Sequence, residues 1–222
     1  MADNVLILEM STESGSVALA RDGTVLAEII FTSRDAATGV RSEALAPAVV
    51  DCLARASVLA PEVHAVVCGA GPGGFTSLRA AAAFAKGICS ALDVPLYAVS
   101  SLEILAWSAQ VADGNFTVAL DAGRGEYFAV DCSSDAVGAL AMGATYLASG
   151  EDLRGRAIAR ESTLVGPHLE ESVYPRAGAV VSHLADVVSR GASDLDSWEP
   201  SYGRLAEAQV KWEAAHGRSL SV

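Results

Sequence analysis

The sequence predicts an α/β protein built on mixed sheets in two lobes, the second lobe reduced. Three observations predict it. Strand and helix signals alternate along the chain, and the series strands, helix, strand, helix occurs twice, the second time in shorter form. The run "VLILE" at residues 5–9 is apolar almost without interruption, as a strand buried on both faces must be. The stretch "CGAGPGGFTSLR" then places a glycine-rich loop between another buried strand and a long helix.

The elements follow in order. After the first strand, residues 16–21 and 24–31 read as two more strands. Asp22-Gly23 between them is the dipeptide favoured by a tight type I′ hairpin. A polar link leads to a helix at residues 42–56, where Leu45, Ala48, Val49, Cys52 and Ala56 form one stripe. Pro47 must either begin its regular part or kink it, because proline has no N–H for the helix ladder. "HAVVCGAG" is a strand, residues 77–92 a helix, "VPLYAVS" a strand and "SLEILAWSAQVA" a helix. Strands "FTVALDAG", "EYFAVDC" and "GATYLAS" open the second series. A helix near "GEDLRGRAIA", the strand "STLVG" and a helix over residues 179–190 complete it. A polar link, "GASDLDSWEPSYGR", leads to a final segment, "LAEAQVKWEAAHG", expected to be helical.

Composition narrows the function classes. The chain has 222 residues, 51% hydrophobic, enough for a large packed core. A formal net charge of −12 argues against a direct grip on nucleic acid. The four cysteines, Cys52, Cys68, Cys89 and Cys132, are widely spaced in apolar settings and read as core thiols of a reducing compartment. An acidic residue precedes the short first apolar run, so no secretion signal is expected. No window approaches the roughly 20 apolar residues of a membrane span, and the expected location is the cytoplasm.

The glycine loop admits two readings. Unpaired N–H groups and the dipole at a helix start favour an anion, and Thr76 or Ser77 can cap that helix with Arg79 in its first turn. Yet the string is neither GxxxxGK[ST] nor GxGxxG, and no lysine stands where a terminal phosphate needs one. A tight structural turn accounts for the glycines equally well. The helix behind the loop is more unusual. Leu78, Ala82, Ala85, Cys89 and Leu92 form one face, while Ala80, Ala83, Gly87 and Ala91 form a second face of small residues. A helix apolar nearly all round is buried on more than one side, and small residues let another backbone approach closely.

At this point a family resemblance appears. "GPGGFTSLR" resembles the "GPGSFTGLR" motif of the bacterial tRNA threonylcarbamoyladenosine biosynthesis family TsaB (YeaZ). "LILEMST", "RSEALAP", "AFAKGICSALDVPLYAVSSLEILA", "ALDAGRGEYFAV" and "EPSYGRLAEAQVK" are similar to further family motifs, in the same order. Departures occur at Glu9-Met10, where the family has Asp-Thr, at Arg41 in place of His, and at Gly74 and Ser77 for Ser and Gly. These departures argue against required acid–base chemistry at those positions.

The resemblance implies the two-lobed actin/Hsp70/sugar-kinase-like (ASKHA) fold and a non-catalytic subunit related to TsaD, which carries catalysis. The expected division is 1–106 for the N-terminal lobe, 107–200 for the C-terminal lobe and 201–222 for a terminal segment packing back on the first. TsaD-type proteins hold a metal with a His-x-x-x-His pair on the helix that here begins "SLEIL". Ser101 and Leu105 stand at those two positions and cannot chelate. His64, His168, His183 and His216 supply no replacement pair, so no metal, cofactor or catalytic residue is expected.

The implied role is to bind TsaD directly, with TsaE in the same complex and tRNA reached only through it. Without TsaD, a homodimer is expected. The expected partner or dimer interface comprises Leu45, Val49, Cys52, Ala80, Ala83, Phe84, Gly87 and Ala91. Residual phosphate or nucleotide contacts fall to Ser11, Thr12, Gly73, Gly74, Thr76, Asp121 and Arg124. The alternative is a stand-alone ATP-dependent kinase or hydrolase of the same fold.

Overall fold

A computed structural model of the chain describes residues 3–32, 35, 41–137 and 139–202. The expected terminal helix and His216 lie outside them.

Two five-stranded sheets organise the molecule. In the first, β1 (Asn4–Glu9) is central, antiparallel to β2 (Gly15–Arg21) and parallel to β4 (Val63–Gly69). β3 (Thr24–Phe31) and β5 (Leu96–Val99) complete the order β3-β2-β1-β4-β5. The β2–β3 hairpin turns at Asp22 and Gly23, both at positive φ as a type I′ turn requires. In the second sheet the long hairpin of β6 (Gly114–Gly123) and β7 (Glu126–Ser134) is flanked by β10 (Thr163–Val165) on one side. On the other side β8 (Leu140–Met142) and β9 (Tyr146–Ser149) both pair with β7. β8 is absent from the sequence prediction, because three residues between turns carry no periodicity of their own.

Helices fill the layers around the sheets. Leu6 and Leu8 of β1 face α1 (Leu45–Arg55) and α2 (Phe75–Leu92), while Val5 and Ile7 face the opposite layer. This is why the strand reads as continuous rather than alternating apolar sequence. Pro47 is the third residue of α1, where its missing N–H has no intrahelical acceptor in any case. A 3₁₀ turn at Arg41–Ala44 precedes it.

The helix α3 (Ser101–Ala109) lies between the two sheets. Ile104 packs on the first, while Leu102, Leu105 and Ala106 pack against Phe116, Val118, Leu120 and Phe128 of the second. Its start is fixed by a capping box in which Ser100 accepts from the Leu102 N–H and Glu103 accepts from the Ser100 N–H. α4 (Gly150–Ala159) covers the outer face of the second sheet. The expected helix over 179–190 is in two parts, a 3₁₀ helix at Ala177–His183 followed by a regular α5 at Leu184–Ser189. Its threefold period puts Ala177 and Val180 on one edge, both wholly buried against the first sheet.

All four cysteines are free and buried. Burial pushes Cys52 and Cys89 up to about 11, Cys132 up to about 12, and raises Cys68 as well. Asp131 on β7 accepts hydrogen bonds from Thr117, Tyr146 and Arg156. Burial acts to raise its carboxyl, but the bonds from Arg156, Tyr146 and Thr117 outweigh that and hold it below the usual range. A carboxyl lowered in the folded state stabilises the fold above its unfolded value, about 3.9, and loses that contribution as pH falls through the folded value. Replacing Asp131 with Asn is therefore expected to lower stability at pH 7 and flatten its decline below about pH 4. Urea unfolding at a series of pH values checks this. An acid limb as steep as in the unaltered chain is the contrary result.

Candidate functional site

The end of β1, the glycine loop and the start of α3 meet at one buried carboxylate. Glu9 is fully buried, and its Oε1 accepts from the Ser11 N–H at 2.6 Å while its Oε2 accepts from the Ser101 hydroxyl at 2.9 Å. The Ser101 Oγ in turn accepts from the Gly71 N–H at 3.1 Å, and the Ser101 N–H donates to the Gly71 carbonyl at 2.8 Å. Ser101 is thereby committed to holding the loop.

The glycines are there because neighbours occupy the space a side chain needs. A Cβ on Gly69 would lie 2.0 Å from Glu9 Oε2, and one on Gly73 would lie 2.4 Å from the Ser11 carbonyl oxygen. Gly71 has φ of +84°, and its Cβ would meet the Ser201 carbonyl oxygen at 2.2 Å.

The helix start differs from expectation. α2 begins at Phe75, with the backbone of Gly74 as its N-cap, so neither Thr76 nor Ser77 caps it. The Gly74 N–H is spent on the Ser11 carbonyl at 2.8 Å. Arg79 falls in the second turn, with its guanidinium 5.2 Å from the centre of the Phe75 ring. Thr76 is exposed.

Ser11, Thr12, Gly74 and Asp121 do come together, in a cleft between the two sheets of about 350 Å3 that Glu13, Leu120, Pro167 and His168 also line. No arginine or lysine is among these lining residues, and the carboxylates of Glu13 and Asp121 oppose a polyanion. Thr12 is occupied locally, its hydroxyl donating to the Ser14 carbonyl, and Asp121 accepts from the Gly123 N–H at 2.7 Å. Arg124 sits at the exposed tip of the β6–β7 turn. Across the cleft, Glu13 accepts from the Tyr174 hydroxyl at 2.9 Å and pairs with His168 at 2.6 Å. His64 accepts from the Asn4 N–H, and His183 stacks on Trp107 at 4.2 Å. Among the described residues no three His, Cys, Asp or Glu side chains gather as metal ligands.

A second feature lies further along α2, on the α1–α2 side of the first sheet. Between α1 and α2 runs a groove of about 270 Å3 whose lining, among the described residues, is entirely apolar and includes Val50, Leu53, Phe84, Ile88, Ala91 and Leu92. Beside it Ala83, Gly87 and Ala91 are exposed, Ala80 is half-buried, and none of the described residues lies within 4 Å of where a Gly87 Cβ would be.

The interface expected on α1 needs correction. Leu45 and Cys52 are buried in the core and Val49 forms the floor of the groove, so none of the three offers open surface. The residues that do are Val50, 67% exposed, and Leu53. A periodic apolar stripe marks the face a helix gives to its own core. Val50 falls off that stripe and is a signal only as an isolated apolar residue on the polar side.

This arrangement defines a two-lobed α/β protein whose loop, helix start and interlobe helix are locked together around a carboxylate. The chain belongs to the family described as TsaD: tRNA N6-adenosine threonylcarbamoyltransferase, which matches residues 24–151. Within it, the chain is similar to the tRNA threonylcarbamoyladenosine biosynthesis protein TsaB of Escherichia coli K12. The two are 31% identical over 133 residues, covering 59% of this chain and 55% of the relative. It is 34% identical to the Bacillus subtilis 168 protein of the same name over 124 residues, 56% and 52% of the two chains. The chain thus spans about half the length of these curated relatives. The solved structure of YeaZ from Pseudomonas aeruginosa superposes with a TM-score of 0.72 at 26% identity, covering 90% of this chain and 99% of that one. The fold is accordingly ASKHA-like. No described helix is long and apolar enough to cross a membrane.

Gly69→Ala is expected to destabilise the chain strongly through its clash with Glu9. In a Glu9→Ala background the same change should cost at least about 1 kcal/mol less, since contacting residues couple by 0.5–3 kcal/mol. A double-mutant cycle by urea unfolding checks this, and additive costs would contradict the contact.

Proposed function

We propose that this chain is a non-catalytic scaffolding subunit of tRNA threonylcarbamoyladenosine synthesis. In this reading it binds TsaD and supports transfer of the threonylcarbamoyl group to the tRNA adenosine next to the anticodon. One observation carries the reading. At the two positions where the resemblance to TsaD-type proteins calls for a histidine pair, this chain has Ser101 and Leu105, both wholly buried. Ser101 is bonded to Glu9 and Gly71, and Leu105 is packed into the second sheet. Neither position can present a ligand to a metal without dismantling the junction of the two sheets.

Two further features support binding rather than chemistry. The α1–α2 groove and the small-residue face beside it expose apolar surface that a partner helix can cover. The net charge of −12 favours contact with tRNA through the assembly, in which TsaE takes part, and not through this chain alone.

The test is reconstitution of tRNA modification from purified TsaD and TsaE, supplied with threonylcarbamoyl-adenylate, with and without this chain. Modification by TsaD should depend on it, and equal modification in its absence would defeat the reading. Because no described residue occupies the space beyond Gly87, Gly87→Trp should leave the melting temperature within a few degrees while weakening TsaD binding at least about tenfold, the worth of roughly 1.4 kcal/mol. Gly87→Ala should bind normally and gain up to about 1 kcal/mol of stability. ATP turnover by the isolated chain, abolished by Asp121→Asn, would instead favour the kinase or hydrolase alternative.

A further inference from the structure

In the cleft between the two sheets, hydrogen-bond donors are spent within the chain while acceptors remain. The Gly74 N–H is bonded to the Ser11 carbonyl at 2.8 Å, and the Ser11 N–H to Glu9 Oε1 at 2.6 Å. The Thr12 hydroxyl donates to the Ser14 carbonyl at 3.0 Å. None of these three donors is left for a phosphate.

The acceptors stand differently. Ser11 lines the cleft and is 4% exposed, and among the described residues its Oγ has no hydrogen-bond partner. A hydroxyl taken out of water without a partner is costly, and a bound group that meets it relieves that cost. Tyr174 and His168 both engage Glu13 at Oε1, and the Gly123 N–H engages Asp121 at Oδ1. Glu13 Oε2 and Asp121 Oδ2 take no part in these contacts. Burial acts to raise the Glu13 carboxyl, but its hydrogen bonds outweigh that and hold it below the usual range, so it is charged at neutral pH.

An ammonium group is the complement of such a set, since it is positive and has three donors and no acceptor. A bare metal ion fits less well, because among the described residues no three His, Cys, Asp or Glu side chains gather as ligands. The cavity of about 350 Å3 is near the lower end of the roughly 300–1,000 Å3 typical of small-molecule sites, which suits a short alkyl amine.

We propose that this cleft binds a small organic cation, a primary alkylammonium group held by the Ser11 hydroxyl oxygen and the carboxylates of Glu13 and Asp121. A glycine loop that in outline suits phosphate thus borders a site of the opposite charge preference. The inference does not depend on binding to TsaD.

The experiment is isothermal titration of the full chain with putrescine, with butanediol and inorganic pyrophosphate as neutral and anionic probes. Putrescine should saturate one site with a Kd of about 1 mM or lower, at least about tenfold tighter than either other probe. Glu13→Gln and Asp121→Asn should each weaken it at least about fivefold. Ser11→Ala should weaken it at least about threefold, yet leave the melting temperature of the free chain unchanged or higher, because it removes a buried hydroxyl without a partner. Glu151→Gln removes an exposed carboxylate on α4, on the outer face of the second sheet, and should bind as the unaltered chain does. Equal losses at Glu151 and Glu13 would assign putrescine to the general negative charge of the surface. Unchanged binding in Ser11→Ala would take the hydroxyl out of the site, and butanediol or pyrophosphate binding as tightly would refute the charge preference. Any of these results, or no binding of putrescine, overturns the proposal.

Discussion

The structure depends first on the Glu9 carboxylate, which is buried where β1, β4 and α3 converge. A carboxylate removed from water is costly unless its oxygens are hydrogen-bonded, and each Glu9 oxygen has a donor, the Ser11 N–H and the Ser101 hydroxyl. Those bonds fix the turn after β1, the first residue of α3 and, through Ser101, the path of Gly71. Gly69 lacks a side chain because the carboxylate takes its place. Three segments far apart in sequence, at residues 9–11, 69–71 and 101, are thus held by a single buried group.

This junction also accounts for what the loop does chemically. Glycine-rich turns at helix starts commonly hold phosphate with unpaired N–H groups. Here the Gly74 N–H is bonded to the Ser11 carbonyl, and the cleft beyond it is lined by Glu13 and Asp121. The turn is tight because β1 and the segment at Ser201 press on it from two sides. Its effect is to aim α2, whose far side carries the small residues and borders the apolar groove.

The interlobe helix α3 makes the arrangement stiff. It is apolar on nearly every side because it packs between two sheets, with Ile104 on one and Leu102 and Leu105 on the other. Ser101 and Leu105 are therefore part of the core that joins the lobes. The open surface is elsewhere, on α1 and α2, where Val50 and Leu53 face Phe84 and Ile88 across the groove.

The sequence by itself determined most of the elements and their order. Continuous apolar runs, the Asp22-Gly23 turn and the helical stripes are local signals, written within a few residues of each other. It also marked the exposed small-residue face of α2, since Ala83, Gly87 and Ala91 follow helical spacing. Only the tertiary structure decided that Glu9, Ser11, Gly71 and Ser101 form one network, because their contacts span up to 92 residues and leave no periodic trace. It alone turned Leu45, Val49 and Cys52 inward and left Val50 outward, and it alone made the "SWEPSY" link a strap packed on α2 through Trp198. The physical reason is the same in each case. Periodicity reports that a face is buried, whereas what buries it, and whether that cover belongs to the same chain, depends on contacts that no local pattern encodes.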